Sequence, residues 1–189
     1  KTIVIFSAFY APFASGAERF VEEVGRRLAD RFNVIVVTSR LASRLPRRER
    51  LDRMVIVRVG FGTPWDKFLF PLLAPLAAWR TSPALVHAVM ESYAGIALLL
   101  YRLIVPRTPT VLTLQSGDLD APERQSKIPH WLWQRIHTAP HQITAISRFL
   151  AARAVRLGIP SERVRVIPNG ADLASAKKFV GVSKIPGRI

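Results

Sequence analysis

Cysteine is absent from all 189 residues. The fold therefore depends on neither disulfide bonds nor thiolate chemistry, which fits a cytoplasmic setting and excludes cysteine nucleophiles and cysteine-bound zinc. His137 and His141 have the spacing of two helical metal ligands, but Pro140 disturbs the helix between them and no carboxylate lies beside them in the sequence. We therefore expect no metal and no other cofactor.

Long apolar runs are also missing. The longest ones are too short or too interrupted to cross a bilayer. The strand-like start after Lys1 shows no charged leader followed by an apolar region, so we expect no signal peptide. With 49% hydrophobic residues and a mean hydropathy of +0.18, the composition indicates a globular protein that is soluble or attached to a membrane surface.

Acidic residues are scarce. Lys and Arg number 28 against 13 Asp and Glu, which gives a net charge of +15. A field of this sign favours nucleic acid, anionic lipid or phosphorylated ligands. Nucleic acid is the least favoured of the three, because no recognisable DNA- or RNA-binding motif is present and the aromatic residues lie in apolar segments rather than among the arginines.

The arginines concentrate between Ser39 and Arg53, where only Glu49 and Asp52 oppose them. This run is either a solvated, exposed loop or a contact to a phosphate-bearing surface. The segment 65–79 is apolar nearly all round and holds two prolines, which break or kink a helix. It is either a buried, kinked helix or an apolar insert that dips into lipid beside the arginines. If the arginines contact lipid phosphates and the apolar segment dips into lipid, the protein is attached peripherally at the inner face of the plasma membrane.

Neither G-x-G-x-x-G nor a Walker lysine occurs near the N-terminus. What is present there is an apolar, β-branched run from Thr2 to Phe6, a loop, and an amphipathic segment from Gly16 to Leu28. The first turn of such a helix points free N–H groups and a positive dipole end at the loop, and Gly16 lets a ligand approach closely. An anion is the natural ligand; the alternative is that Gly16 only helps the chain to turn.

Apolar runs and amphipathic segments alternate along the rest of the chain. This alternation predicts an α/β fold, a Rossmann-like parallel sheet with helices on both faces. The length fits one such domain, which we place at residues 1–172, followed by a linker or a fragment of a second domain at 173–189. The predicted strands are residues 2–6, 33–38, 54–59, 85–88, 110–114, 142–146 and 164–167.

Three separated motifs agree in order with one family. The loop Pro12–Glu18 is similar to its P-x-x-G-G-x-E loop, and Val111–Asp118 is similar to its strand and histidine-bearing loop. The third and most specific match runs from Ile146 to Asp172 and is similar to the family's S…L…G-x-P…V-I-P-N-G-V-D run. From Thr2 to about Asp172 the chain thus resembles the N-terminal half of retaining glycosyltransferases of the large fourth sequence family, which are built as GT-B enzymes.

The resemblance implies a hexosyltransferase whose first domain binds the acceptor, while a second Rossmann-like domain holds the nucleotide-diphosphate sugar across a cleft. The sugar would pass with retention to a hydroxyl of a lipid-linked or polysaccharide acceptor. The family's donor-site pair of glutamates has no counterpart after Asp172, so we expect this half alone to be inactive.

The family's site residues carry over to matching positions. Ser15 and Gly16 would contact the donor diphosphate, and Asn169 and Gly170 would lie at the domain hinge. The candidate sugar- or acceptor-binding residues are Glu91, Gln115, Ser116, Asp118 and Arg148, of which Gln115 and Asp118 are also the candidate catalytic residues.

Two departures from the family matter. Ser15 replaces the first loop glycine, and Gln115 stands where the family usually has histidine. Glutamine keeps a hydrogen-bonding group but cannot carry a proton, which argues against acid–base work at this position. Beside the enzyme hypothesis we therefore keep an alternative, a non-catalytic basic Rossmann-like module that docks on anionic membrane or nucleic acid.

Overall fold

The computed structural model describes residues 1–13, 15–115 and 129–170. Within these ranges the chain forms eight strands and five helices. The strands are β1 Thr2–Phe6, β2 Asn33–Ser39, β3 Arg48–Leu51, β4 Met54–Val59, β5 Leu85–Val89, β6 Thr110–Leu114, β7 Gln142–Ala145 and β8 Val164–Val166. The helices are α1 Gly16–Leu28, α2 Asp66–Trp79, α3 Tyr93–Ile104, α4 His130–Thr138 and α5 Arg148–Arg156, and a single 3-10 turn spans Ser161–Arg163.

All eight strands belong to one sheet, in the order β3-β4-β2-β1-β5-β6-β7-β8. Every neighbouring pair is parallel except β3 and β4, which are antiparallel. The strand β1 is central, as its apolar run without a polar face requires. The predicted α/β fold with a Rossmann-like parallel sheet is thereby confirmed.

Helices cover both faces of the sheet around β1. On one face Val4 and Phe6 pack under α2 and α3, where the Phe6 ring meets Phe70 and Tyr101 edge to face at centroid distances of 6.3 and 6.2 Å. On the other face Ile5 packs with α1. Burial of alternate β1 side chains in opposite layers fixes the strand between two helical layers.

The arginine-rich connection contains a strand that the sequence reasoning missed. Arg48–Leu51 pairs antiparallel with β4 and forms the edge of the sheet. A short, charged strand is typical of a protected sheet edge. Arg58 of β4 holds this edge strand in place. Its guanidinium is buried, pairs with Glu49 at 2.5 Å and donates to the Ala11 carbonyl at 2.8 Å.

The segment with two prolines is a single helix, α2. Pro71 and Pro75 lie on its buried side with Phe70 and Ala74, where packing against the sheet offsets the backbone hydrogen bonds that the prolines lack. The helix is therefore neither broken at Pro71 nor fully buried, since its opposite side is exposed.

Two glycines of α1 differ in what surrounds them. A Cβ atom on Gly25 would lie 2.3 Å from the Met54 sulfur, so helix and sheet are in contact only because no side chain stands between them. A Cβ atom on Gly16 would meet nothing within 4 Å. Gly25 therefore serves packing, whereas the space over Gly16 is open.

We expect Gly25→Val to lower the free energy of unfolding by roughly 1–3 kcal/mol, because the new side chain would displace the Met54 sulfur inside a packed core in which Met54 is fully buried. Gly16→Val, the same change on the same helix, is the matched control and should shift stability by about 0.5 kcal/mol or less. Urea unfolding of both variants measures this. Equal stability losses would contradict the packing described here.

Candidate functional site

The carboxyl ends of five neighbouring strands carry the predicted site residues that the structure describes. The strands are β1, β5, β6, β7 and β8, which are consecutive in the sheet. Because the carboxyl ends of parallel strands meet at one edge, residues far apart in sequence gather in one row. That row holds Ser15 and Gly16 after β1, Glu91 after β5, Gln115 after β6, Arg148 after β7, and Asn169 and Gly170 after β8. Ser116 and Asp118 lie outside the described residues.

A cavity of about 190 Å³ lies between the loops that follow β1 and β5. At this point the strand order reverses, because β2 and β5 flank β1 on opposite sides. Such switch points are where open parallel sheets bind ligands. Met90 in the wall has φ +74°, a strained conformation for a non-glycine residue. The lining includes Ser7, Ala8, Phe9, Ser15, Glu18, Met90 and Ser92.

The first turn of α1 borders this cavity. Ser15 and Glu18 form a capping box, in which the Glu18 carboxylate accepts the Ser15 backbone N–H at 2.7 Å and also the Ser15 hydroxyl. Inside the helix, the N–H of Arg19 bonds to the Ser15 carbonyl at 3.1 Å. Within the described residues no acceptor is seen for the N–H groups of Gly16 and Ala17, so these two groups are available to an external acceptor. Ser15 shapes the turn with its own polar groups already engaged.

Gln115 offers a polar group to the same edge. Its Nε2 is buried and has no hydrogen-bond partner among residues 1–13, 15–115 and 129–170. A buried amide without a partner is costly unless a ligand satisfies it. Glu91 is also buried, at 1% exposure, so its carboxylate lies behind the cavity wall rather than on the open edge.

The remaining candidates are on the open surface. Arg148 is the exposed first residue of α5, whose N-cap is Ser147 with its hydroxyl accepting the Leu150 N–H at 3.2 Å. This bond caps the first turn of α5. Asn169 and Gly170 are exposed beyond β8, at the end of the sheet away from β1. The structure brings Ser15 to the cavity with Gly16 next to it at the start of α1, and it places Gln115, Arg148, Asn169 and Gly170 along the edge of the sheet.

The family follows from a comparison with known proteins. The family described as Glycosyltransferase Family 4 matches residues 14–175, which is most of the chain. The chain belongs to Glycosyltransferase Family 4. No curated protein sequence matches the chain closely enough to be counted as a relative.

Solved structures of similar fold agree with this membership. The sucrose-phosphate synthase of Thermosynechococcus elongatus has 15% identity and a TM-score of 0.72 over 97% of this chain and 53% of its own. HepE of Anabaena, solved with UDP and glucose, has 18% identity and a TM-score of 0.62 over 95% of this chain and 50% of its own. The family 4 chain thus spans about half the length of these proteins and has the fold of the N-terminal domain of GT-B enzymes.

The same fold also occurs in a different enzyme. UDP-N-acetylglucosamine 2-epimerase of Rickettsia bellii has 10% identity and a TM-score of 0.61 over 95% of this chain and 47% of its own. Fold likeness alone therefore does not separate transfer from epimerisation. The family match groups this chain with the glycosyltransferases.

Part of the site of this family 4 domain was missed by sequence reasoning. Ser7, Ala8 and Phe9 form part of the cavity wall. In the sequence they show only that a dinucleotide-binding motif is lacking. Their position directly after a central strand is the signal that could have placed them at a ligand crevice. The strained Met90 has no sequence signal at all, because a methionine at positive φ follows no local preference.

Histidines in this domain are held by internal contacts. His137 Nδ1 bonds to the Trp133 carbonyl at 2.9 Å, and His141 Nδ1 bonds to the Thr110 N–H at 3.1 Å. In the part of the chain that the structure describes, no three His, Cys, Asp or Glu residues group as metal ligands. The expectation that no metal is needed stays a prediction.

A polar chain crosses three strands near the cavity. His87 Nε2 lies 2.6 Å from Thr113 Oγ1, which lies 2.6 Å from Thr144 Oγ1. The Phe20 ring of α1 meets the imidazole edge on at 6.2 Å. Burial lowers the pKa of His87 to about 4 from its usual 6.5, so the ring is neutral at pH 7.

We expect this lowered pKa to make the domain lose stability in acid. Well above pH 6.5 His87 is neutral whether the chain is folded or not. As the pH falls through 6.5 toward 4, the unfolded chain gains a proton that the folded chain resists. The loss should be roughly 2 kcal/mol between pH 7 and pH 4.5.

His87→Gln, which keeps a hydrogen-bonding group but does not titrate, should show a smaller loss over the same pH range. A smaller loss rather than none is expected, because burial also lowers the pKa of His137. Urea unfolding at both pH values measures the difference. The assignment to His87 is wrong if variant and parent lose the same stability.

Proposed function

We propose that this domain is the N-terminal half of a retaining glycosyltransferase of hexosyl type, which transfers a sugar from a nucleotide diphosphate to an acceptor hydroxyl. The observation that carries the proposal is the cavity at the sheet's switch point, which is lined by Ser15 and Glu18, the residues on either side of Gly16 and Ala17 at the start of α1. Family membership supports it, and so does a similar fold, HepE, solved with UDP and glucose. No other cofactor is assigned.

The first turn of α1 would receive the donor diphosphate. Two backbone N–H groups and the positive end of a 13-residue helix attract an anion there. The open space over Gly16 leaves room for phosphate oxygens to reach the backbone. Glu18 carries a negative charge at the same terminus, but the Ser15 N–H and hydroxyl hold its carboxylate. The phosphate would therefore approach from the Gly16 side.

In the proposed reaction the bond between the sugar's anomeric carbon and the phosphate oxygen breaks, and the acceptor oxygen bonds to that carbon from the same face. The leaving phosphate takes the acceptor proton, so no protein group has to remove it. Gln115 suits this scheme, since its unpartnered Nε2 can donate a hydrogen bond to sugar or acceptor but cannot act as a base.

The other candidates receive roles from their places along the edge. Arg148 and Asp118 would orient sugar or acceptor together with Ser116, while the buried Glu91 would support the cavity wall from behind. Asn169 and Gly170 would form the hinge, so that residues 1–172 make one domain and 173–189 lead into the next.

The donor's nucleotide would be held by a second domain across a cleft, as in enzymes of twice this length. One wall cannot align both reactants or exclude water, so this half alone should fold without transferring sugar. The acceptor is proposed to be lipid-linked or a polysaccharide, and the enzyme to work in the cytoplasm.

The proposal predicts that Gly16→Val in the complete enzyme weakens donor binding at least tenfold, because the added side chain fills the approach of the phosphate to the Gly16 and Ala17 N–H groups. The donor affinity of Gly16→Ala should lie between that of Gly16→Val and that of the parent. Ala152→Val, a comparable enlargement on the exposed surface of α5, is the control and should bind donor as the parent does.

The assay is transfer from a panel of nucleotide sugars, with the anomeric configuration of the product read by NMR. Retention of the donor configuration is expected. Unchanged donor affinity in Gly16→Val would reject the phosphate assignment, and absence of transfer with every donor would favour the non-catalytic binding module instead.

A further inference from the structure

The helix α2 presents a line of large apolar side chains to the surface. Each of its members is between 47% and 72% exposed. At 100° per residue they fall within an arc of about 80° on the helix, so they form one straight stripe about 20 Å long. The α2 stripe consists of Trp65, Phe68, Leu72, Leu76 and Trp79.

The stripe is not an ordinary solvent face. A surface helix normally sets polar residues opposite its buried side, whereas α2 buries Phe70, Ala74 and Ala78 against the sheet and exposes apolar residues on the other side as well. Single exposed apolar residues are common, but a continuous line of them marks an interaction surface. Something apolar is expected to cover it.

Further large apolar residues are exposed in the loop before α2 and on α3. Phe61, in the loop before α2, is 71% exposed, and Leu103 at the end of α3 is 73% exposed. The Trp65 and Phe68 rings lie 5.7 Å apart, and Phe68 contacts Tyr93 at the start of α3. The α2 stripe thus belongs to a broader face formed by α2 and α3.

Charge on this face has one sign. Between residues 54 and 115 the acidic residues are Asp66 and Glu91 alone, and both are buried. Asp66 accepts the backbone N–H groups of Gly62 and Thr63, at 2.7 and 3.2 Å, so its charge serves the turn before α2. No carboxylate from this stretch reaches the surface, whereas Lys67, Arg80 and Arg107 do.

The exposed arginines of the β2–β3 connection adjoin the start of the stripe. A Cβ atom on Gly62 would lie 2.6 Å from the Ser43 Cα atom, so that connection runs close to the loop leading to Trp65. Arg40 bonds to the carbonyls of Leu45 and Ser43, at 2.8 and 2.7 Å, and orders the connection. Its neighbours Arg44 and Arg47 are exposed and make no ion pair within the described ranges.

We propose that the α2 stripe and the cations around it dock this domain on an anionic lipid surface. Apolar side chains on a helix lying in the interface enter the headgroup region, while lysine and arginine side chains meet the lipid phosphates. A protein partner would need only the apolar line; the lack of exposed carboxylates beside it is what selects an anionic surface. In residues 1–13, 15–115 and 129–170 no helix is long and apolar enough to cross a bilayer.

The test is flotation of this chain with two kinds of vesicle. One is phosphatidylcholine alone, and the other contains roughly 30% phosphatidylglycerol, an anionic lipid that attracts basic segments. The chain should float with the anionic vesicles, and the bound fraction should fall as salt is raised. Leu72→Glu/Leu76→Glu should reduce binding at least tenfold, because it places two carboxylates in the middle of the stripe.

Phe149→Glu is the matched control, since Phe149 is 53% exposed on α5, away from the stripe, and should retain binding. Lys67→Gln/Arg80→Gln should weaken binding to anionic vesicles severalfold, and Arg156→Gln on α5 should not. Brominated lipid should quench tryptophan emission in the parent and much less in Trp65→Phe/Trp79→Phe.

Several outcomes overturn the proposal. If the parent and Leu72→Glu/Leu76→Glu bind the vesicles equally, binding rests on charge alone and does not involve the α2 stripe. Absence of binding together with a dimer in sedimentation equilibrium, which the same double change converts to monomer, would show that a second copy covers the stripe. A large drop in melting temperature of the double variant would show that the stripe is packed inside the protein. None of these readouts needs a nucleotide sugar, so failure here leaves the proposed transfer unaffected.

Discussion

The fold depends on burial of β1 from both sides. Because Val4 and Phe6 face one helical layer and Ile5 faces the other, α1 must lie on one face of the sheet and α2 and α3 on the opposite face. The chain therefore leaves β1 in one direction and returns to β5 from the other, and the loops after the two strands part to form the cavity. The site is a consequence of topology before any polar residue is considered.

Polar groups are then placed where the topology leaves room. The capping box of Ser15 and Glu18 begins α1 at the cavity, and within the described residues the N–H groups of Gly16 and Ala17 have no acceptor. Gly16 keeps the space over them open, in contrast to Gly25, where the absence of a side chain lets helix and sheet touch. The amide of Gln115 adds a donor farther along the same edge. An anion bound in the proposed way would meet backbone donors and would need no lysine in the loop.

The sequence was sufficient for the parts of the fold that local composition decides. Apolar β-branched runs predicted β1 and the other parallel strands. The edge strand Arg48–Leu51 was missed because three of its four residues are charged, and only pairing with β4 makes it a strand. The exposure of α2 could not be predicted either, since a segment that is apolar all round gives no sign of which side faces outward. Likewise, the sequence does not show that Glu18 accepts the N–H and the hydroxyl of Ser15, because these bonds exist only in the folded turn.

The central claim is that an anion binds the Gly16 and Ala17 N–H groups at the switch point. Titration of the ¹⁵N-labelled chain with UDP-glucose, and separately with inorganic pyrophosphate, tests it most directly by NMR, which detects weak binding residue by residue. The account predicts the largest amide shifts at Gly16 and Ala17, with smaller ones at Ser7 to Phe9 and at Met90, all following one dissociation constant. Shifts confined to the exposed arginines near β3, with Gly16 and Ala17 unmoved, would contradict it.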